Sequence, residues 1–438
     1  MSGSIDLNDY LDSPRDLVFL SEEQLAALRW EDVAAFQLEA ARRKLARQAK
    51  RIPALGRKLG DRDPLACQSI DDLIPFLYVD SDYKSYDKSY LENRQFDKLT
   101  RWLDGFTSCD LSGVDMNGCE NLTQWCERLY EQADIFVCHS SGTSGTLSFV
   151  PRSRIDRELI VDAMARANLG LFDSGKGNED VFFFTMSPRY IYRVPQVVYD
   201  GLEEKYLQNP VISPFDQFIS PEMTIAMNRL RRAAETDTMD ECLRDPVVAA
   251  YAEDVNRFGE EAPQRLHTWL ENIRNNYLGK SIYFMGTFEH AWDITRSFQA
   301  EGISAAFGPD SVFAVFGGVK KGTVLPDDWR QQFKEAMGTD KIVTAWGMSE
   351  LATGAANECI EGMYHFNVHT IPFVLDPQTG KPLPRQGTQT GQLAALELVS
   401  EDCWGGIITG DRGTVHWDKV CKCGLNNGPL LELSIERL

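Results

Sequence analysis

The strongest constraint on this chain is a stretch that cannot be core: His139-Ser140-Ser141-Gly142-Thr143-Ser144-Gly145-Thr146-Leu147-Ser148. The run Asp134-Ile135-Phe136-Val137-Cys138, apolar after its first residue, precedes it and reads as a buried strand. Phe149-Val150-Pro151-Arg152-Ser153 follows, and a helical pattern opens at Asp156-Arg157-Glu158-Leu159-Ile160. Glycines let the backbone turn with its N–H groups inward, and hydroxyls add donors, a combination that suits a polyphosphate. A Ser/Thr/Gly surface linker has the same composition, and the segment alone leaves both readings open. It is not the common phosphate loop, because no lysine follows Gly145. Arg152 could supply charge in its place, although it reads more simply as a surface arginine.

Two more motifs follow in order, Ala345-Trp346-Gly347-Met348-Ser349-Glu350 and Thr409-Gly410-Asp411-Arg412-Gly413. With the first stretch they resemble the ordered motifs of the adenylate-forming superfamily: acyl-CoA synthetases, peptide-synthetase adenylation domains and luciferases. Ser69-Ile70-Asp71-Asp72-Leu73-Ile74-Pro75-Phe76 is similar to the segment before the phosphate loop in phenylacetate–CoA ligases. The resemblance covers residues 65–438 and is with the phenylacetate–CoA ligase and acyl-protein synthetase branch, including phenazine-antibiotic biosynthesis relatives.

The fold class implied is α/β. It is the large N-terminal domain of the adenylate-forming fold, with mixed sheets, flanking helices and a smaller β-rich subdomain. The residues agree, since strand-like runs at 181–185, 281–286, 311–316 and 341–345 are interleaved with helical segments. Three regions are expected: 1–130, a helical region and the start of the core; 131–350, the nucleotide- and substrate-binding core; and 351–438, β-rich. Residues 21–50 read as helical with a basic end, and 203–275 as a helical insertion.

By resemblance, Ser140, Ser141, Gly142, Thr143, Ser144, Gly145 and Thr146 cradle the ATP phosphates, with Thr143 holding phosphate or magnesium. Gly317 and Gly318 set backbone against the adenine, and Trp346, Gly347, Met348 and Ser349 line the nucleotide. Glu350 is the magnesium ligand, Asp411 accepts from the ribose hydroxyls, and Arg437 matches the hinge arginine. The family's lysine after the loop is missing here. For the catalytic lysine that the family carries in its C-terminal domain, Lys320 and Lys321 beside Gly318 are the nearest candidates in sequence, and two surface lysines in a loop are the simpler reading.

Cys359 and His365 are six residues apart, and Cys421-Lys422-Cys423-Gly424 lies further on. Three thiols and an imidazole make four soft ligands, the number for tetrahedral zinc. Phenylacetate–CoA ligases carry similar Cys/His motifs, so a structural zinc is expected. His369 and His416 are spare.

Composition bounds the rest. A net charge of −20 argues against nucleic acid. No run reaches the ~18 apolar residues of a membrane span. The start lacks a signal-peptide pattern, and ten cysteines without one suggest thiols or metal ligands, hence a cytoplasmic protein. The chain stops after Arg437 and Leu438, so the resemblance implies that the mobile C-terminal domain with its lysine is absent.

The function expected is ATP-dependent activation of a carboxylic acid, aromatic or hydrophobic, as an acyl-adenylate. Aromatic Phe284, Phe316 and Trp346 suggest that acid. Pyrophosphate is released, and the acceptor is CoA, a carrier protein or an amine. A CoA ligase lacking its C-terminal domain and a non-catalytic nucleotide-binding relative are the alternatives.

Overall fold

A computed structural model describes residues 5–140, 146–171, 180–316 and 325–438. The chain divides into two units. The first combines the N-terminal residues to Ser140 with Leu147–Ala163 and Ala345–Leu438, and the second is built on Met164–Thr344.

In the first unit an antiparallel sheet runs in the order Thr370–Leu375, Thr388–Glu397, Gly406–His416, Leu430–Glu432, Met363–Phe366, Ala356–Glu358. Its centre is the long hairpin of Thr388–Glu397 and Gly406–His416, whose register slips between Gln392 and Ala394. Thr409 fills the slip by donating its hydroxyl to the Leu393 carbonyl at 2.8 Å. Such irregularities raise local twist and re-aim the side chains beyond them, here Asp411. Tyr78–Val79 adds in parallel and Glu436–Arg437 in antiparallel to the Gly406–His416 strand.

The helical expectation for 21–50 is divided in the structure. Ser21 and Gln24 form a capping box on Glu22–Ala26, and a second helix spans Trp30–Gln48. Val33, Phe36, Ala40, Ala41 and Leu45 bury one face of it at helical spacing. Its basic end turns to protein partners. Arg42 donates to the Cys67 carbonyl, Arg43 pairs with Glu39 and Asp12, and Arg47 pairs with Glu401. Lys44 is fully buried and donates to the Ser400 carbonyl at 2.5 Å.

Two strands flank the phosphate-loop candidate in sequence. Phe136–His139 pairs antiparallel with Phe149–Arg152, and the helix Arg154–Ala163 follows. Phe149–Arg152 pairs as a strand although its Pro151 lacks an N–H. A two-stranded ribbon accepts a proline, having no second neighbour to satisfy.

The second unit holds a parallel sheet in the order Phe182–Thr185, Ile282–Thr287, Val312–Phe316, then the start of Ile342–Trp346. The helices Phe288–Ala300 and Trp329–Met337 follow strands, as parallel connections require. Phe184, Phe284, Phe298 and Phe313 are fully buried together with Met337. Each such side chain contributes about 1.5–3 kcal/mol by leaving water. The insertion expected at 203–275 is helical as Pro221–Thr236 and Pro246–Asn276, and Trp269 and Ile273 of the latter join this core. Phe284 is therefore core and carries no information about a substrate. Among the described residues no helix is long and apolar enough to cross a membrane.

Candidate nucleotide site and metal cluster

Three of the residues singled out in the sequence meet at one carboxylate. Asp411 sits in Gly406–His416, opposite Arg437 in register. Arg437 Nη1 donates to Asp411 Oδ1 at 2.8 Å, and Trp346 Nε1 donates to Asp411 Oδ2 at 3.1 Å. A carboxylate has about four acceptor sites, so both oxygens keep capacity for further donors such as sugar hydroxyls. Gly410 makes room: a Cβ there would lie 2.9 Å from the Arg437 guanidinium carbon. Trp346 is buried, edge-on to Phe366 at 6.1 Å between centroids.

From Trp346 the chain enters a tight turn. A Cβ on Gly347 would lie 3.0 Å from the Gly354 Cα, while Ala355 N–H donates to the Trp346 carbonyl at 2.8 Å. A backbone-to-backbone approach that tight disfavours any side chain. Gly347→Val is expected to destabilise the fold by about 2–3 kcal/mol, measured by urea unfolding, because backbone cannot swing aside as a side chain can.

Glu350 lies in this turn and is nine-tenths buried. Burial raises its pKa above the ordinary carboxyl value, and Asp80 pushes the same way, while Arg152 and Lys84 oppose them. Met348 and Ser349 lie between Gly347 and Glu350, and the Ser349 carbonyl accepts from Arg152 Nη2 at 2.6 Å.

The surface reading of Arg152 is overturned, since it is fully buried. Pairing of the 149–152 strand turns it inward, where the charges of the buried carboxylates Asp156 and Glu397 favour its cation. Sequence reasoning also missed Glu397. The signal was there: one carboxylate inside the apolar run Leu393-Ala394-Ala395-Leu396-Glu397-Leu398-Val399 needs buried partners. It accepts from Ala352 N–H at 2.8 Å, from Thr353 N–H at 2.7 Å, and from the hydroxyls of Thr353 and Ser400.

Ser140 and Ser148 clamp the base of the phosphate-loop candidate. Ser140 N–H donates to the Ser148 carbonyl and Ser148 N–H to Ser140 Oγ, both at 3.0 Å. Tyr86 Oη donates to the Leu147 carbonyl at 3.0 Å. Thr146 is described at the edge of the loop. Ser141, Gly142, Thr143, Ser144 and Gly145 lie outside the described residues, as do Gly317, Gly318, Lys320 and Lys321.

The four soft ligands do converge. The ligand atoms of Cys359, His365, Cys421 and Cys423 all lie within 4.8 Å of one another. Cys359 Sγ and Cys421 Sγ are 3.7 Å apart, and Cys423 Sγ lies 3.3 Å from His365 Nε2. Zn–S bonds of ~2.3 Å in a tetrahedron put sulfurs about 3.8 Å apart, so the donor set and its size fit zinc. Burial pushes the Cys423 thiol up to about 12, so a metal must displace its proton.

His369 and His416 stand outside the cluster. His416 faces Glu432 and Thr388, and His369 Nε2 lies 2.9 Å from Thr353 Oγ1. Burial lowers the His369 pKa to about 4, with Glu397 opposing. The folded state holds this imidazole neutral while the unfolded chain protonates it near 6.5. Its contribution is intact above that value and is lost as pH falls towards 4, by about 3 kcal/mol in total. His369→Gln is expected to show a correspondingly smaller loss of stability between pH 7 and 4.5 by urea unfolding.

No protein-family model matches the sequence. The phenylacetate-coenzyme A ligase of Thermus thermophilus is 33% identical over 114 residues, which is 23% of this chain and 24% of that protein. The match thus spans about a quarter of the relative's length. Among solved structures, 2-hydroxyisobutyryl-CoA ligase in an open conformation, in complex with 2-HIB-AMP and CoA, superposes with a TM-score of 0.51 at 16% identity. That match covers 92% of this chain and 75% of the other. The same ligase in the thioesterification state gives a TM-score of 0.52 at 17% identity, covering 92% and 69%. The chain shares the fold of 2-hydroxyisobutyryl-CoA ligase and is similar over about a quarter of its length to a phenylacetate-coenzyme A ligase.

Proposed function

We propose that this chain activates a carboxylic acid with ATP and magnesium as an acyl-adenylate. The acid's carboxylate oxygen attacks the α-phosphorus. The new O–P bond forms as the bond to the oxygen bridging towards the β-phosphorus breaks, and pyrophosphate leaves with the electron pair.

The observation that carries this reading is the junction of Trp346, Asp411 and Arg437, with Glu350 buried in the turn that leaves Trp346. Asp411 holds the ribose hydroxyls with its spare acceptor capacity, and Trp346 and Arg437 fix its rotamer. Glu350 holds magnesium, and a cation there relieves the cost of burying its charge near Asp80. Magnesium, when bound, neutralises charge on the phosphates. The resemblance of the motifs assigns the terminal phosphates to the 140–146 stretch and the adenine to Gly317 and Gly318. Cys359, His365, Cys421 and Cys423 hold a structural zinc, a closed set without a water position.

The finer reading is an aromatic or hydrophobic acid passed to CoA. The phenylacetate-coenzyme A ligase homologue and the CoA-bound 2-hydroxyisobutyryl-CoA ligase structures support it. Exchange of labelled pyrophosphate into ATP across a panel of carboxylic acids tests both levels. Exchange that depends on one group of acids is expected, fastest for an aryl-acetic acid. No exchange with any acid, alongside tight ATP binding, would favour a non-catalytic nucleotide-binding relative.

A further inference from the structure

The Glu350 turn is held from two sides by buried charges of opposite sign. On one side Arg152 Nη2 donates to the Ser349 carbonyl at 2.6 Å. On the other the Glu397 carboxylate accepts from the N–H groups of Ala352 and Thr353, at 2.8 and 2.7 Å, and from the Thr353 hydroxyl. Both side chains are at 0% exposure. Glu350 sits between the two grips, one residue after Ser349 and two before Ala352.

The two grips belong to separate segments. Arg152 ends the second strand of the phosphate-loop hairpin, and Glu397 ends the strand Thr388–Glu397. Each feels the other's charge. Burial opposes both ionised forms, yet Glu397 is among the groups that favour the Arg152 cation, and Arg152 among those that favour the Glu397 anion. Arg152 Nε and Nη1 are also buried and have no hydrogen-bond partner among the described residues.

We infer that Arg152 and Glu397 are positioning residues that clamp the 349–353 turn and so hold the Glu350 carboxylate for magnesium. This rests on the reading of Glu350 as the magnesium ligand. The device is a cation on a backbone carbonyl and an anion on backbone amides, so the turn is fixed through its main chain. Glu350 keeps its own side chain for the metal. Because Arg152 lies on the hairpin that carries the 140–146 stretch, the clamp also ties that hairpin to the Glu350 turn.

The test uses the full chain with Arg152→Met, Arg152→Lys and Glu397→Gln. Hydrogen exchange of the metal-free, nucleotide-free protein reads the clamp directly. Calorimetry then measures ATP affinity with and without magnesium. In Arg152→Met and Glu397→Gln, amides in 347–353 are expected to exchange faster, while peptides covering 359–365 stay unchanged. The gain in ATP affinity from magnesium should fall about tenfold or more in both, the usual effect of removing a group that orients a metal ligand. Arg152→Lys keeps the charge without the forked geometry and should recover part of both readouts. It also serves if Arg152→Met does not fold.

Unchanged exchange in the turn would overturn the clamp. A loosened turn with wild-type magnesium dependence would overturn its role in holding Glu350. So would equal losses of affinity with and without magnesium, which is what a merely structural role predicts. If the wild-type chain itself shows no magnesium-dependent ATP binding, the functional reading fails first and the positioning role falls with it. That result is distinct from a variant that keeps wild-type binding.

Discussion

Protein purified without chelator is expected to carry one zinc per chain, and Cys421→Ser to lose it together with several kcal/mol of stability. Cys421 joins Cys423 in one loop to Cys359 and His365 in another segment, with its sulfur 3.7 Å from that of Cys359. Metal bound by a preformed set stabilises the fold that brings the set together. Structural zinc contributes about 10–16 kcal/mol in the extreme case of zinc-finger peptides. A large domain with its own core depends on it less, so a fall in melting temperature of about 5–10 °C is expected. Cys67→Ser is the control: Cys67 is buried but stands outside the cluster, and a shift below about 3 °C is expected there. Zinc affinity should rise with pH, because metal and protons compete for thiols held as high as that of Cys423. Elemental analysis showing no stoichiometric metal, or equal shifts for the two variants, would sink the assignment.

How much of this was legible in the sequence depends on the distance over which partners had to be found. The convergence of Cys359, His365, Cys421 and Cys423 could be read because a grouping of cysteine and histidine is itself a signal. The motif that holds Trp346, Gly347 and Glu350 could be read because its residues lie within one short stretch of chain. That Arg437 would bond Asp411 was not written in either motif. It follows from the strand register that sets Glu436–Arg437 against Gly406–His416. The charges around the Glu350 turn were illegible for the same reason. Arg152 and Glu397 are far apart in sequence, and periodicity reports that a strand is buried without saying which charges meet inside. Arg152 was misread because one polar residue at the end of an apolar run more often points outward. Pairing of the whole Phe149–Arg152 strand decided otherwise. Phe284 shows the opposite error, a core aromatic taken as a hint of substrate, because a sequence cannot tell a pocket wall from a packed interior.

Asp411→Ala is expected to weaken ATP and AMP binding alike, whereas Glu350→Gln should spare AMP and remove most of the magnesium dependence of ATP binding. The two nucleotides share the ribose, so losing a ribose-binding carboxylate acts on both. Hydrogen bonds to a charged group are worth about 1.5–3 kcal/mol each, and two lost together predict at least a hundredfold weaker binding of either nucleotide. Asp411→Ala also strands two donors, the buried Trp346 indole N–H and the more exposed Arg437 guanidinium. Asp411→Asn separates these effects, because the amide oxygen still accepts from Trp346 while the charge that pairs with Arg437 is gone. Its loss should be intermediate and still equal for ATP and AMP. Glu350→Gln acts elsewhere. Glutamine keeps the shape of the buried side chain and removes the charge that magnesium needs, so only the ligand that brings magnesium is affected. Calorimetry with each nucleotide, with and without magnesium, resolves four affinities per variant. If Asp411→Ala spared AMP, the carboxylate would not be the ribose acceptor. If Glu350→Gln weakened AMP as much as magnesium-bound ATP, the turn would serve the nucleoside and not the metal.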